Sequence, residues 1–345
     1  MTGGAGRRRW ALAAAAATLI SVLATRPARA AMAGPGFAVG ISPGAGAVHQ
    51  TASETARTMG GMAAAGDRWV RLDVPWVSIE GRRGSFSWTA EDAAVRSARS
   101  HGLQVDALID DTPGWAMPAG QPDPALAAAF VATVVHRYAP LGVHTYEIWN
   151  EENLNSYWEA PVSALGYGRV LKAAYSAVHR ADRRGFVVLG GLARTSGTTP
   201  GLAVDPTAYL AALYQDGFGR YFDAAAVHPY SYPDSPTSPA ADNSLNALAG
   251  IHALMAGHGD AGKRIWVTEY GYSTGAQVLT GLVPPTNDSD QATYLAAAIQ
   301  RVRAEPWAGP FFVFSWQDDM WQAFGLLRSD GSPKPALAVF ERSPH

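Results

Sequence analysis

The feature that most constrains the fold is an alternation, repeated eight times, of a short apolar run with a longer amphipathic segment. The apolar runs, which we interpret as strands, are residues 37–41, 69–74, 105–109, 145–149, 186–189, 224–227, 265–268 and 311–315. Eight strands that alternate with helices predict an α/β fold, the (β/α)8 TIM barrel. A doubly wound sheet is the alternative, but no G-x-G-x-x-G follows the first run.

Helix start signals support this alternation. Asp123 and Asp205 each stand immediately before a proline, which predicts a capping side chain followed by a first-turn proline. The stretch 89–92, Thr-Ala-Glu-Asp, resembles a capping box. Further helices are expected to open near residue 288 and near residue 335.

The amino-terminal residues have the pattern of a signal peptide. A basic segment at 7–9 precedes an apolar segment at 10–23, and the small-x-small site at 28–30 predicts cleavage after residue 30. An uncleaved anchor is the alternative, although the apolar segment is short for a membrane span. We therefore expect a signal peptide at residues 1–30, one catalytic domain at 31–345, and a secreted protein, free or associated with the cell wall.

Charge and cysteine content narrow the function classes. Of the 27 basic residues, five arginines lie in residues 1–30, which leaves 22 basic against 29 acidic residues and a net charge of about −7. This balance argues against nucleic acid as a partner. The chain has no cysteine, and its nine histidines form no H-x-H or H-E-x-x-H motif. We expect no metal, no cofactor and a monomer.

Polar and aromatic side chains gather at the carboxyl ends of the predicted strands, where barrel enzymes place their functional groups. Two carboxylates at one barrel mouth, one protonated and one ionised, are what cleavage of a glycosidic bond requires. The candidates are Arg71, Asp73, Asp110, Asp111, Trp115, Glu147, Trp149, Asn150, Glu151, His228, Tyr230, Glu269 and Trp316. Aromatic residues for outer sugar subsites are Tyr157, Trp158, Tyr232 and Trp321.

The segments IWNEEN at 148–153 and WVTEYG at 266–271 resemble the retaining glycoside hydrolases of clan A. The pattern is most similar to family 39 and to family 5-like single-barrel members. The segments VRLDVPW, HPY, FSW and GSPKPAL extend the resemblance over nearly all of the chain after residue 31.

The resemblance implies a role for each matching residue. It makes Glu151 the acid/base, Glu269 the nucleophile and Asn150 the residue that holds the sugar 2-hydroxyl. Arg71, His228, Tyr230, Trp316 and Trp115 are the remaining substrate-binding candidates. From the residues themselves, we expect Glu147 to be an ion-pair partner, Asp110 and Asp111 to cap a loop, and Glu152 to point toward solvent.

The sequence thus predicts a secreted hydrolase that cleaves O-glycosidic bonds, with β linkages favoured, in a poly- or oligosaccharide by double displacement. A non-catalytic carbohydrate-binding barrel is one alternative, and a transglycosylase that uses the same covalent intermediate is another. Neither the glycan nor internal versus terminal cleavage follows from the sequence.

Overall fold

A computed structural model describes residues 1, 34–44, 46, 50–118, 120–158, 160–241, 243–275, 285–320 and 322–345. Apart from residue 1, the predicted signal peptide at 1–30 lies outside the described residues, and so does Trp321. Residues Met32–His345 form one compact unit.

Eight parallel strands close into a barrel in which each strand pairs with its sequence neighbours and the last pairs with the first. This confirms the predicted TIM barrel. The strands are β1 Val39–Ser42, β2 Trp69–Pro75, β3 Gln104–Asp110, β4 Thr145–Asn150, β5 Phe186–Ala193, β6 Ala225–His228, β7 Ile265–Tyr270 and β8 Ala308–Phe314.

Helices connect consecutive strands and cover the outside of the sheet. They are α1 Ala52–Ala64, α2 Trp76–Ile79, α3 Thr89–Ser100, α4 Pro124–Tyr138, α5 Asn155–Trp158, α6 Ala164–Ala181, α7 Pro206–Gln215, α8 Leu248–Gly257, α9 Asp288–Arg303 and α10 Pro335–Glu341. Among the helices within the described ranges, none is long and apolar enough to cross a membrane.

The helix caps follow the sequence signals at two of the three predicted sites. Asp123 and Asp205 each accept two backbone N–H bonds at the start of α4 and α7. The predicted capping box at Thr89 is wrong, because α3 begins at Thr89 itself and its N-cap is Trp88, which makes no side-chain bond. A capping box occurs instead at the start of α1, between Thr51 and Glu54.

An apolar layer fills the lumen toward the amino-terminal ends of the strands. Its buried members are Trp69, Phe186, Val188, Ala224, Ala226, Trp266 and Phe312. The rings of Trp69 and Trp266 meet edge to face with centroids 5.5 Å apart. This layer occupies the amino-terminal end of the barrel. The charged side chains further along the strands therefore lie closer to the carboxyl-terminal mouth.

Candidate active site

A cleft of about 300 Å³ opens at the carboxyl ends of the strands. Strands β2, β3, β4, β7 and β8 contribute to its wall. The lining residues are Gly44, Arg71, Asp73, Pro75, Ser78, Leu108, Asp110, Asp111, Asn150, Tyr157, Glu269, Phe314 and Gln322. Acidic, amide and aromatic groups thus face a common space.

Glu269 lies near the end of β7 and is held by two donors. Arg71 Nη1 donates to Oε1 at 2.7 Å, and Tyr230 Oη donates to Oε2 at 3.0 Å. Burial opposes ionisation of this carboxyl, but His228, Arg71 and the hydrogen bond from Tyr230 outweigh burial and lower the pKa of Glu269. Glu269 is therefore an ionised carboxylate at neutral pH.

Arg71 fixes three strands relative to one another. Its Nε donates to Glu147 Oε2 at 2.7 Å, and its Nη2 donates to Asn150 Oδ1 at 2.7 Å. The guanidinium is only 2% exposed, so its charge is balanced by buried partners. The expected ion pair of Glu147 is confirmed, and the same arginine orients both Asn150 and Glu269.

Glu151 follows the last residue of β4 in an unusual backbone conformation. Its φ is +50°, and two residues earlier Trp149 has φ +77°, both in the left-handed region that favours glycine. The side chain of Glu151 is 14% exposed, and its Oε1 lies 2.8 Å from His228 Nδ1. One carboxyl oxygen of Glu151 lies within 4.8 Å of one of Glu269.

His228, the last residue of β6, is completely buried. Its Nε2 lies 3.1 Å from Thr268 Oγ1, and its Nδ1 lies 3.8 Å from Glu269 Oε2. Burial lowers the pKa of His228, but the charge of Glu269 and the hydrogen bond and charge of Glu151 outweigh burial and raise it above the ordinary value.

Within the described ranges, Glu151, His228 and Glu269 bring three possible metal-ligand atoms within 4.8 Å of one another. The contacts among these atoms are accounted for by protons, because His228 Nδ1 and Glu151 Oε1 are at hydrogen-bond distance. Both oxygens of Glu269 have donors of their own, Arg71 and Tyr230. We therefore interpret these three residues as a hydrogen-bonded cluster whose members share protons.

Three aspartates, Asp73, Asp110 and Asp111, line the cleft beside this cluster. Burial raises the pKa of Asp73 to about 6 against the opposing charge of Arg71, and burial also raises the pKa values of Asp110 and Asp111. Asp110 Oδ1 has no hydrogen-bond partner within the described ranges. Both aspartates face the cleft, and their expected loop-capping role stays a prediction.

Trp316 does not lie under the cleft as expected. It is 7% exposed and packs behind the barrel wall against α1, where a Cβ added to Gly61 would lie 3.0 Å from its ring. The aromatic residue of β8 that lines the cleft is Phe314. Strand alternation could have identified it, because Phe312 faces the lumen and residues two apart share a face.

Trp115 is a second displaced candidate. Its indole Nε1 donates to the Glu80 carbonyl at 2.9 Å, and its ring packs edge to face on Trp76 at 5.5 Å. These contacts place Trp115 in a separate cavity beside α2 and α4, with Phe130. Of the outer aromatic residues, Tyr157 lines the cleft, whereas Trp158 is buried in the core.

Glu152 is the clearest departure from expectation. The sequence predicts a side chain that faces solvent, but Glu152 is completely buried and neither carboxyl oxygen has a hydrogen-bond partner within the described ranges. Burial raises its pKa well above the ordinary value, so the side chain is neutral. It lies against Gly190, where an added Cβ would be 2.2 Å from Glu152 Oε2.

No protein-family model matches the chain, and no curated protein matches it significantly in sequence. Many solved structures are similar to it in fold. A family 39 glycoside hydrolase from Bacteroides cellulosilyticus gives a TM-score of 0.66 at 21% identity over 88% of this chain, which spans 62% of that protein. The GH5_18 protein of Streptomyces cattleya, solved with GlcNAc, gives 0.67 at 17% identity over 89% of this chain and 79% of its own.

A GH128 endo-β-1,3-glucanase from Sorangium cellulosum is similar over almost its entire length. The TM-score is 0.58 at 16% identity, and the match covers 89% of this chain and 99% of the glucanase. At such identities the likeness establishes the fold. The structural neighbours of this chain thus include family 39 and family 5 glycoside hydrolase barrels, which is the resemblance that its strand-end motifs predicted.

Proposed function

We propose that this protein is a secreted glycoside hydrolase that cleaves β-linked poly- or oligosaccharides with retention of configuration. The observation that carries the proposal is the pairing of Glu151 with Glu269 at the barrel mouth. A carboxyl oxygen of one lies within 4.8 Å of a carboxyl oxygen of the other. Retaining enzymes hold their two carboxyls about 5–5.5 Å apart, whereas inverting enzymes need about 6.5 Å or more to admit a water molecule.

In the proposed reaction, Glu269 attacks the anomeric carbon as the glycosidic bond breaks. Glu151 gives its proton to the departing oxygen, and a glycosyl–Glu269 ester forms. The Glu151 carboxylate then takes a proton from water, whose oxygen attacks the same carbon and releases Glu269. The lowered pKa of Glu269 supports its assignment as the nucleophile, because that group must be ionised before the substrate arrives.

Asn150 suits the role of holding the sugar. Its Oδ1 accepts from Arg71 Nη2 at 2.7 Å, which fixes the amide orientation and leaves the Nδ2 group to donate to a hydroxyl. Phe314 and Tyr157 add aromatic surface to the cleft wall. Aromatic faces pack on the apolar faces of sugar rings, so these side chains favour a pyranose ligand.

Turnover on a broad panel of β-linked polysaccharides and aryl β-glycosides tests the proposal, with protein that begins at residue 31. Glu269→Ala should abolish turnover, and Glu151→Ala should reduce it by about 10²–10⁴-fold. Azide should restore activity to both variants, with the β-glycosyl azide formed by Glu151→Ala and the α-glycosyl azide by Glu269→Ala. A 2-fluoro glycoside should label Glu269 covalently in the unmodified enzyme.

The outcomes separate the alternatives. Binding without turnover on every member of the panel would indicate a carbohydrate-binding barrel. New oligosaccharides at high acceptor concentration, in place of hydrolysis, would indicate a transglycosylase. Protein from culture medium that begins after residue 30 would support export with removal of residues 1–30.

A further inference from the structure

A continuous line of hydrogen bonds runs from the proposed acid/base into the charged interior of the barrel. Glu151 Oε1 lies 2.8 Å from His228 Nδ1, and His228 Nε2 lies 3.1 Å from Thr268 Oγ1. Thr268 Oγ1 in turn lies 3.2 Å from Glu147 Oε1. Thr268, on β7 next to the proposed nucleophile, therefore lies between the imidazole of His228 and the carboxylate of Glu147.

The donors around Glu147 determine which way the Thr268 hydroxyl points. Glu147 Oε1 already accepts from Gly191 N at 2.9 Å and from Arg71 Nη2 at 3.2 Å, while Arg71 Nε is bonded to the other oxygen at 2.7 Å. A carboxylate held by a guanidinium accepts hydrogen bonds and has no proton to offer. The single hydroxyl proton of Thr268 is therefore donated to Glu147.

The remaining lone pairs of Thr268 Oγ1 face His228 and can only accept. His228 Nε2 must consequently carry a hydrogen, which leaves Nδ1 to share a proton with Glu151. Close packing fixes this geometry, because a Cβ added to Gly191 would lie 2.2 Å from His228 Nε2 and 2.6 Å from Thr268 Oγ1. The imidazole is thus packed directly against the β5 backbone at Gly191.

We propose that Thr268 is a positioning residue that holds His228 in its Nε2–H form and thereby keeps the acid's proton on the hydrogen bond between His228 Nδ1 and Glu151. This inference rests on the proposed function of Glu151. The two residues then hold one proton as a unit. If that proton were lost, the Nδ1 lone pair would face the Glu151 carboxylate at 2.8 Å, so the pair retains it to higher pH.

Other charges act on His228 from the surrounding strands. They are Glu151 after β4, Glu269 on β7 and Arg71 on β2, while Glu147 on β4 lies beyond Thr268. On β5, the neighbour is the uncharged Gly191. Removal of the Thr268 hydroxyl changes none of these residues chemically, so a change in pH dependence reports on that hydroxyl.

The test compares Thr268→Val, which keeps the shape and removes the hydroxyl, with Thr268→Ser, which keeps the hydroxyl. In the valine variant, His228 can move its proton to Nδ1 and satisfy an ionised Glu151. The alkaline limb of kcat/KM should therefore shift to lower pH by about one unit, the scale of one lost hydrogen bond to a charged group. Thr268→Ser should keep the alkaline limb of the unmodified enzyme. Superimposable limbs for the valine and unmodified proteins would overturn the proposal.

A second measurement requires neither turnover nor the valine variant. The ¹⁵N shifts of the His228 ring in the full chain, assigned by their absence in His228→Gln, distinguish a protonated Nε2 from a bare one. We expect Nε2 to stay protonated from pH 5 to pH 9, while the shift of Nδ1 changes. A bare Nε2 overturns the role of Thr268 even if the protein hydrolyses glycosides. A protonated Nε2 in a protein without turnover supports the hydrogen-bond assignment and refutes the proposed function.

Discussion

Glu151 and Glu152 are neighbours in the chain but lie in opposite surroundings. Glu151 reaches the cleft, where His228 is its partner, whereas Glu152 is buried against Gly190 without a hydrogen-bond partner in the described part of the chain. The left-handed backbone at Glu151 and Trp149 interrupts the regular alternation of a strand. A prediction that assumes strict strand alternation therefore places the side chain of Glu152 in solvent, although it is buried.

This pair gives a matched prediction. Glu151→Gln removes the proposed proton donor and should lower kcat by about 10²–10⁴-fold on substrates with poor leaving groups. Glu152→Gln exchanges one neutral group for another of the same shape, because burial keeps Glu152 protonated. Its kcat should stay within twofold, and its free energy of unfolding within about 1–2 kcal/mol. Loss of activity in Glu152→Gln alone would contradict the assignment of the acid.

At the scale of elements, strand and helix positions followed from periodicity, because a repeating pattern of burial is a local signal. All eight strands, the prolines that open α4 and α7, and the start of α10 were predictable on this basis. The side chains within those strands, Arg71, Glu147, His228 and Glu269, also reached their expected places.

The predictions for two tryptophans beyond the strand ends were wrong. Trp316 follows β8 by two residues, where the chain has already left the barrel wall, and Trp115 lies on a short helical turn after β3. The direction that a chain takes after a strand depends on tertiary packing, and no local pattern encodes that direction.

The two aromatic residues at the end of β8 should respond differently to truncation. Trp316→Ala removes a buried ring that packs on α1 and should lower the free energy of unfolding by about 3–5 kcal/mol, with little change in KM. Phe314→Ala, in the cleft, should raise KM. Denaturant unfolding and steady-state kinetics on both variants check this. A larger rise in KM for Trp316→Ala than for Phe314→Ala would return Trp316 to the substrate site.

At the scale of the whole molecule, stability should depend on pH through a carboxyl far from the catalytic cleft. Asp67, between α1 and β2, is completely buried, and burial raises its pKa to about 8. The folded state then binds a proton that the unfolded state releases near pH 4. The stability that this proton supplies is present at low pH and is lost as the pH rises toward 8.

Asp67→Asn tests this linkage. Asn keeps an oxygen for the bond from Trp69 N, which lies 3.0 Å from Asp67 Oδ1, but it cannot ionise. Relative to the unmodified protein, the variant should gain roughly 4 kcal/mol in free energy of unfolding between pH 5 and pH 8. Urea unfolding at pH 5, 6.5 and 8 measures the difference, and parallel curves for the two proteins would refute the role of Asp67. Other buried carboxyls contribute equally to the pH dependence of the free energy of unfolding in both proteins, so they cancel in the difference.

The acidic side chains of the cleft should make the binding of charged glycans depend on ionic strength. Asp73, Asp110, Asp111 and Glu269 face the space with Arg71 as the cation among its lining residues. A polyuronide that enters at pH 8, above the pKa of Asp73, meets charge of its own sign, whereas a neutral glycan does not. Added salt shortens the range of that repulsion to about 8 Å at 0.15 M. Binding of a polyuronide to Glu151→Gln, which keeps all four of these acids, should therefore strengthen from 10 mM to 200 mM NaCl, while binding of a neutral β-glycan stays constant. The barrel mouth would then select its substrates partly by the charge that it keeps out.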